Sequence, residues 1–309
     1  AVTIVTAGLA SSLFGITENM VVWSLIITIM CYIILLLGKY QILDKMIKVI
    51  ILILAISTIF STGVASINTD EIYSFKQIFP SGSGLVFLVA FMGWMPAPLD
   101  ISIWHSIWTL EKKKSQKITA KESLFDFNVG YLATVILGIC FVSLGALVMY
   151  NSGISFSNSG SIFAGQLIDL YTSNLGDSFY LIISICAFTT MLSTTITCLD
   201  ASPRTMSRAT QLLTKNNDKN YYFHWISALA IGTMLIFYFL LSEMGALVEL
   251  ATVLSFITAP FYAILNYKLI MSDNMPKSHK PSKNLRILSV IGIFFLSFFA
   301  LGYILTRFI

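Results

Sequence analysis

Long apolar segments alternate with short polar connections along almost the whole chain. Nine segments approach the length needed to cross a bilayer, for which about 20 apolar residues suffice. They fall at residues 1–16, 20–38, 46–64, 84–110, 125–150, 179–199, 221–241, 245–267 and 285–306. Polar and apolar residues do not alternate at every second position, as they do in membrane-barrel strands. The pattern therefore predicts an all-α, polytopic membrane protein.

The segment 84–110 is unusual because helix-breaking and polar residues interrupt its centre. It contains the run Gly93-Trp94-Met95-Pro96-Ala97-Pro98-Leu99-Asp100. Each proline removes a backbone donor and clashes with the preceding turn, so the pair should open the helix. Open backbone inside a bilayer is tolerated where it lines a cavity or is buried in protein. We expect a functional site here; the alternative is a structural proline kink with Asp100 paired to a neighbouring helix.

Lysine and arginine are concentrated in alternate connections, which sets the orientation of the spans. Seventeen of the 19 basic residues lie in residues 39–48, 111–122, 200–220 and 268–286. Basic connections stay on the cytoplasmic side of a membrane. We therefore expect these four connections to be cytoplasmic and predict an integral, multi-pass protein of a bacterial plasma membrane.

The connections on the opposite side have a different character. Residues 65–83 carry Asp70 and Glu71, and residues 151–178 begin with a stretch rich in Ser, Gly and Asn. An amphipathic stretch, Ile162–Tyr171, follows. It is typical of a helix that lies on a surface or caps a vestibule, although a solvated loop is the alternative.

Composition agrees with a membrane protein and excludes other classes. The chain is 56% hydrophobic and 11% charged, against about 25% charged residues in soluble domains. Its net charge of +4 follows from the basic connections, without a cluster suited to nucleic acid. The cysteines (Cys31, Cys140, Cys186 and Cys198) lie in apolar stretches without ligand spacing, which predicts small buried residues. We recognise no enzyme signature and no signal peptide. The chain begins with Ala1, not Met, inside an apolar run that is short for a membrane span. We therefore expect the sequence to lack its N-terminus.

Two methionines and one carboxylate are the candidate ligands at the interrupted helix. Met92 and Met95 are three residues apart, so a continuous helix would present them on one face. Thioether sulfur suits transition metals better than Mg²⁺ or Ca²⁺. Asp100 offers an oxygen ligand or a proton acceptor one turn beyond the break. Core packing is the alternative role for the methionines.

Other polar residues are candidates for a proton path, a gate or a pathway lining. His105 is either a protonatable relay or a histidine packed beside interface tryptophans. Asp126 either faces His105 or is a carboxylate favoured by a helix start. Glu249 is an outer-gate or proton-path carboxylate, or a paired interfacial one. Hydroxyl groups in the segment 179–199 either bond the helix backbone and neighbouring helices or line an aqueous path; they belong to Thr189, Thr190, Ser193, Thr194, Thr195 and Thr197.

These motifs resemble the Nramp (natural resistance-associated macrophage protein) family of proton-coupled divalent metal transporters. The family's sixth helix carries Ala-x-x-Met-Pro-His-Asn, followed shortly by His-Ser. This chain reads Met92-Gly93-Trp94-Met95-Pro96-Ala97-Pro98 and then His105-Ser106. Ser193-Thr194-Thr195-Ile196-Thr197 is similar to the family's eighth-helix run, Leu35–Lys45 to its fourth-to-fifth helix link and Thr6–Gly15 to its third helix.

The resemblance implies an inverted five-helix-repeat, LeuT-like transporter bundle with about nine helices visible of an expected eleven. Within one transmembrane domain, residues 1–64 would be the remainder of the first repeat. Residues 84–267 would be the second repeat, and 285–306 an extra helix. Two further helices would then precede residue 1, and one of them would carry the family's Asp-Pro-Gly-Asn motif, which supplies the other half of the metal site.

Carried over by position, Met95 would be the thioether ligand and Met92 would contribute its backbone carbonyl. Ala97 and Pro98 replace the family's His and Asn, so the histidine of the family's usual proton route has no counterpart at this position. Asp100, which has no family counterpart, would substitute for a missing polar group near the metal or take the proton. His105, Asp126 and Glu249 remain candidates for the proton path or a gate, and Ser193, Thr194 and Thr197 for the pathway lining.

The predicted function is secondary active transport of a divalent metal ion of the Mn²⁺/Fe²⁺ class, coupled to protons. The metal is cargo, so no cofactor is expected; the bilayer and protons are the other partners. Mg²⁺ transport by a divergent relative is one alternative. Symport of an amino acid or another organic solute is a second alternative, and a receptor or structural membrane protein is a third.

Overall fold

The computed structural model describes residues 2–37, 40–68, 78–113, 117–150, 157, 160–216, 218–240 and 244–308. Several residues discussed above lie outside these ranges: Ala1, Asp70, Glu71, some of the lysines in the connections and most of the Ser/Gly/Asn-rich stretch. Within the described ranges the secondary structure is helical and contains no strand.

Eleven α-helices account for most of the described chain. They are α1 (Val2–Phe14), α2 (Met20–Leu36), α3 (Tyr40–Ile67), α4 (Ser83–Trp94), α5 (Ile101–Lys113), α6 (Ala120–Leu144), α7 (Gly160–Leu175), α8 (Tyr180–Thr214), α9 (Tyr222–Leu240), α10 (Met244–Met271) and α11 (Lys283–Phe308). A π-helical turn, Gly145–Met149, extends α6, and 3₁₀ turns at Asp177–Phe179 and Lys277–His279 precede α8 and α11.

Each predicted apolar segment coincides with a helix, and 84–110 corresponds to the pair α4 and α5. Six helices of the described chain are long and apolar enough to span a membrane: Lys48–Ile67, Ala120–Met149, Asp177–Thr214, Tyr222–Phe239, Gly245–Met271 and Lys283–Leu305. Three shorter apolar helices, Val2–Phe14, Met20–Leu36 and Gly84–Trp94, accompany them. The predicted all-α, polytopic membrane architecture is confirmed.

Several predicted boundaries are wrong at the basic connections, where the helices extend beyond the apolar segments. The segment 179–199 continues as helix to Thr214, so Asp200 and Arg204 are helical rather than part of a loop. Pro203 lies inside this helix. Residues 111–113 and 120–122 are also helical. A helix can continue into the aqueous phase without losing its hydrogen bonds, so the apolar boundary and the helix boundary differ.

Local capping explains several helix ends. Asn19 accepts hydrogen bonds from the N–H groups of Val21 and Val22 at the start of α2. Thr119 and Glu122 form a reciprocal capping box at the start of α6, in which each side chain satisfies a donor that the first turn leaves free. The α8 helix ends at Lys215, whose φ of 52° places it in the left-handed region.

The buried core follows two groups of helices. In the first group α8 packs against α1, α2 and α9, and its buried residues include Ala7, Trp23, Leu192, Ile196 and Ile226. α7 closes the same group through Ile168 and Tyr171, so the amphipathic stretch Ile162–Tyr171 is a helix and the alternative of a solvated loop is wrong. In the second group α4 packs against α10 and α11 through Val89, Phe256, Ala300 and Tyr303.

Large apolar side chains cover the outer surface. Phe60, Leu132, Phe239, Phe261 and Phe298 are each more than 60% exposed. Apolar surface of this extent is typical of an interaction or membrane surface rather than of a soluble monomer. Lipid chains would cover it in a bilayer, which agrees with the membrane-spanning helices.

Candidate functional site

The interrupted helix is fully broken between α4 and α5. α4 ends at Trp94, Met95 is extended with φ −110° and ψ 128°, and α5 begins at Ile101. The Met95–Pro96 peptide bond is cis. Residues 95–100 therefore form a non-helical connection between two short helices, which excludes a mere kink.

The two prolines leave helix-end carbonyl groups without their usual donors. The Met95 N–H donates to the Phe91 carbonyl at 2.9 Å and closes the last regular bond of α4. The Met92 carbonyl would next accept from residue 96 and the Trp94 carbonyl from residue 98, but both residues are prolines and have no N–H. The break thus supplies carbonyl oxygens that can bind a cation.

α10 holds both sides of the break. The Cα of Gly93 lies against the Thr252 backbone so closely that a Cβ at this position would overlap the Thr252 carbonyl. The Trp94 indole N–H donates to the Ser255 hydroxyl at 3.2 Å. On the other side, the Asn266 amide donates to the Ser102 hydroxyl at 2.9 Å. The position of the connection is therefore fixed by neighbouring helices as well as by its prolines.

The two methionines point to different neighbours. Met92 packs with the cluster formed by Val89 and Phe256. Met95, beyond the end of α4, places its terminal methyl group against Gly138 of α6. Met95 is the C-cap residue of α4, and the two side chains contact different helices. A shared ligand role of Met92 and Met95 stays a prediction.

Asp100 lies at the N-terminal end of α5 and is half-buried. Its carboxylate is close to the backbone N–H groups of Asp100 and Ile101. It also lies within electrostatic range of the Cys198 thiol of α8. Asp100 thus ends the same non-helical connection that begins at Met95.

His105 packs against an aromatic side chain. Its ring meets the Phe127 ring of α6 edge-on, with centroids 5.3 Å apart, and Phe127 in turn stacks on Tyr131 at 5.4 Å. Asp126, the neighbour of Phe127, is exposed. The observed contact matches the packed alternative for His105, and a role of either residue in a proton path stays a prediction.

The hydroxyl groups of α8 serve two different faces. On one face the Thr195 hydroxyl lies 2.9 Å from the Thr6 hydroxyl of α1, and both donate toward the Met191 carbonyl. On another face Thr194 donates to the Thr190 carbonyl at 2.9 Å. The Thr190 hydroxyl is buried and has no hydrogen-bond partner among the described residues. Ser193 is buried and Thr197 is half-buried. Thr195 is thus a packing residue, and a pathway role for the others stays a prediction.

Glu249 lies far from the break in chain position and is exposed near the start of α10. Its carbonyl accepts a hydrogen bond from the Thr252 hydroxyl at 2.9 Å. That bond belongs to the turn which packs against Gly93. A gating role for the Glu249 carboxylate stays a prediction.

A second polar cluster was not singled out from the sequence. Asp200 of α8 accepts hydrogen bonds from Arg204, from Tyr222 of α9 and from Trp108 of α5. An Asp and an Arg at i and i+4 on one helix are a recognisable signal. This signal was not used, because the charge pattern assigns residues 200–220 to a cytoplasmic connection rather than to a helix.

The described chain does not complete a metal site by itself. Within the described ranges no group of three or more His, Cys, Asp or Glu side chains could hold a metal ion together. The segment 92–100 carries the thioethers of Met92 and Met95 and the carboxylate of Asp100, and their role as ligands stays a prediction.

The fold and the break together define a polytopic α-helical membrane protein with a discontinuous helix. Comparison with known families is more specific: the family model described as natural resistance-associated macrophage protein-like (Nramp) matches residues 2–306. The chain therefore belongs to the Nramp family, and the predicted resemblance is confirmed.

One similar curated protein is an uncharacterized protein of Pasteurella multocida (strain Pm70). The two sequences are 34% identical over 278 residues, which covers 88% of this chain. The chain spans 63% of the length of that relative.

Proposed function

We propose that the protein transports divalent transition-metal ions of the Mn²⁺/Fe²⁺ class across the membrane, coupled to protons. Membership of the Nramp family supports metal ion transport as the general activity. The observation that carries the proposal for this chain is the break itself. There Met95 stands outside regular helix, in the same segment as the prolines Pro96 and Pro98, which leave helix-end carbonyl groups without their usual donors.

The chemistry of the ligands favours a transition metal over a hard cation. A thioether selects softer metals, whereas carbonyl and carboxylate oxygens alone suit Mg²⁺ and Ca²⁺. Met95 would supply the discriminating ligand, the Met92 carbonyl a neutral oxygen and Asp100 a negative charge. Gly138 supports this arrangement because the absence of a side chain there leaves room for the Met95 methyl group.

Asp100 is the proposed proton acceptor of the coupling mechanism. Ala97 and Pro98 stand where the family motif has His and Asn, so those side chains cannot take a proton here. Asp100 is the next ionisable residue along the chain, is half-buried and lies at the break. Intramembrane carboxylates commonly mark proton or ion pathways.

Transport of Mg²⁺ is the second candidate function, and Asp100 is the observation that favours it. Mg²⁺ keeps several waters and binds through one or two carboxylates. In that case the Met95 side chain would only pack against Gly138. Competition between Mn²⁺ and Mg²⁺ separates the two candidates.

The test is metal uptake by the full natural protein reconstituted into liposomes. Met95→Ala should reduce the preference for Mn²⁺ over Mg²⁺ and Ca²⁺ by at least about tenfold, since even partners outside the ligand shell are worth about 10–100-fold. Met206→Ala is the matched control, because Met206 is 42% exposed on α8. Unchanged discrimination in Met95→Ala would remove the proposed ligand role, and Mg²⁺ uptake without Mn²⁺ uptake would favour the second candidate.

Repeat organisation and orientation complete the proposal. Residues 1–64 would form the remainder of one repeat, residues 84–267 a second inverted repeat and residues 285–306 an extra helix. The ends of the helices near 39–48, 111–122, 200–220 and 268–286 would face the cytoplasm because of their lysines and arginines. Single cysteines introduced at Lys117 and Ser157 test this orientation. In sealed vesicles, a reagent that cannot cross the membrane should label the two positions from opposite sides.

A further inference from the structure

We propose that Asp200 is a positioning residue that docks α5, the second half of the broken helix, onto the α8–α9 hairpin. Three helices meet at this carboxylate. Arg204 donates to both Asp200 oxygens at 2.8 Å, and the Tyr222 hydroxyl donates to Oδ1 at 2.7 Å. The Trp108 indole N–H, from α5, donates to Oδ2 at 3.2 Å.

The charges in this cluster are largely removed from solvent. The Asp200 side chain is only 13% exposed and that of Arg204 is 35% exposed. The Arg204 guanidinium also lies over the Tyr222 ring, 5.0 Å from its centroid. Glu111 of α5 also lies within electrostatic range of Arg204. Removing one partner of such a group leaves an uncompensated charge, which costs more than an exposed pair would.

Hydrogen bonds that do not involve α5 connect α8 and α9. The Trp225 indole of α9 donates to the Thr210 hydroxyl of α8 at 2.9 Å. The Gln211 amide donates to the Lys219 carbonyl at 2.8 Å, and the Tyr221 N–H donates to the Ser207 hydroxyl at 3.2 Å. These bonds hold α8 and α9 together independently of α5.

α5 itself is short and has two polar anchors. Ser102 binds Asn266 of α10 near its first turn, and Trp108 binds Asp200 six residues later. At 1.5 Å per residue the two anchors are about 9 Å apart along the axis. Without Asp200, α5 keeps the anchor near Ser102 and can swing away from α8 at its other end. The end of α5 that carries Trp108 would then lose its fixed distance from α8.

Cys198 provides a native reporter of this docking. It lies on α8 two residues before Asp200 and within electrostatic range of Asp100. Movement of α5 away from α8 would expose its thiol. In a background with Cys31, Cys140 and Cys186 replaced by alanine, the rate of modification by a small thiol reagent therefore measures how tightly α5 is docked.

Three variants test the proposal in this background. Asp200→Asn and Trp108→Phe should each raise the modification rate of Cys198 by about tenfold, which corresponds to about 1.4 kcal/mol and is of the size expected for a hydrogen bond to a charged group. Trp225→Phe is the matched control, because it removes an indole hydrogen bond of the same hairpin that does not involve α5. Its rate should remain that of the parent.

The outcome is decisive in either direction. Rates within twofold of the parent in both Asp200→Asn and Trp108→Phe, or an equal rise in Trp225→Phe, would overturn the positioning role. Trp108→Phe removes no charge, so it keeps the test valid if Asp200→Asn fails to fold. The consequence for transport rests on the proposed function: variants in which α5 is less tightly docked should show a lower maximal rate of Mn²⁺ uptake. If the parent shows no metal uptake, the proposed function fails while Cys198 modification still decides the role of Asp200.

Discussion

Replacing Gly93 with alanine would place a methyl group on the backbone of α10. A Cβ at this position overlaps the carbonyl oxygen and carbon of Thr252 and lies 3.3 Å from the Phe256 nitrogen. These obstacles are helix backbone and cannot rotate aside as a flexible side chain would. Restoring ordinary carbon contacts of about 3.5–4.0 Å requires α4 and α10 to separate by more than about 1 Å.

The cost of this separation can be bounded. Overpacking a core costs about 1–3 kcal/mol, and we expect the upper end because Gly93 is buried at a backbone contact. The separation would also stretch the 3.2 Å bond from Trp94 to Ser255. At an unfolding entropy of about 2.1 cal/mol/K per residue, a chain of 309 residues shifts by about 1.5 °C per kcal/mol, so the melting temperature should fall by roughly 5 °C.

Thermal unfolding of the purified protein in detergent measures this effect. Gly232→Ala is the matched control, because Gly232 lies inside α9 and a Cβ there meets no atom within 4 Å among the described residues. Its melting temperature should stay unchanged or rise, since alanine favours a helix over glycine by about 1 kcal/mol. Equal melting temperatures for Gly93→Ala, Gly232→Ala and the parent would refute the close packing of α4 on α10.

Three further outcomes are expected. Gly138→Ala should leave stability nearly unchanged but lower Mn²⁺ selectivity, because the added methyl group displaces only the flexible end of Met95. Metal competition in liposomes measures the selectivity. Unaltered selectivity would argue against a ligand role of Met95. Asp100→Asn should abolish uptake driven by a pH gradient, and coupling equal to the parent's in the same liposomes would exclude Asp100 as the proton acceptor. Thr119→Ala should lower the free energy of unfolding by about 1 kcal/mol, because α6 loses its cap. Denaturation in detergent measures this loss. Thr134→Ala is the control, since the Thr134 hydroxyl donates to the Gly130 carbonyl of its own helix.

Several site residues were accessible from the sequence because their chemistry conflicts with a membrane helix. Pro96 and Pro98 have no N–H to donate, so the break follows from the residues alone, and Asp100 stands out as a carboxylate in an apolar segment. The role of the methionines was not accessible in the same way. Their neighbours depend on how the helices pack: Met92 contacts the cluster of Val89 and Phe256, and Met95 contacts Gly138.

The Asp200 cluster shows a different limit. Hydropathy marks where a chain leaves the apolar phase, and it placed Asp200 and Arg204 in a loop. The helix continues to Thr214 because backbone hydrogen bonding does not depend on side-chain polarity. Only the continued helix brings Asp200 to Trp108 and Tyr222, which are distant in the chain.

The sequence by itself determined the class of this protein. The apolar segments, the alternating lysines and arginines, and the prolines at 96 and 98 are local properties, and each acts through the composition or backbone chemistry of its own segment. The tertiary structure decided which side chains meet. The positions of Met95 against Gly138, His105 against Phe127 and Trp108 against Asp200 depend on how separate helices pack. Packing is set by shape and register across the chain, and these have no signature in any one segment.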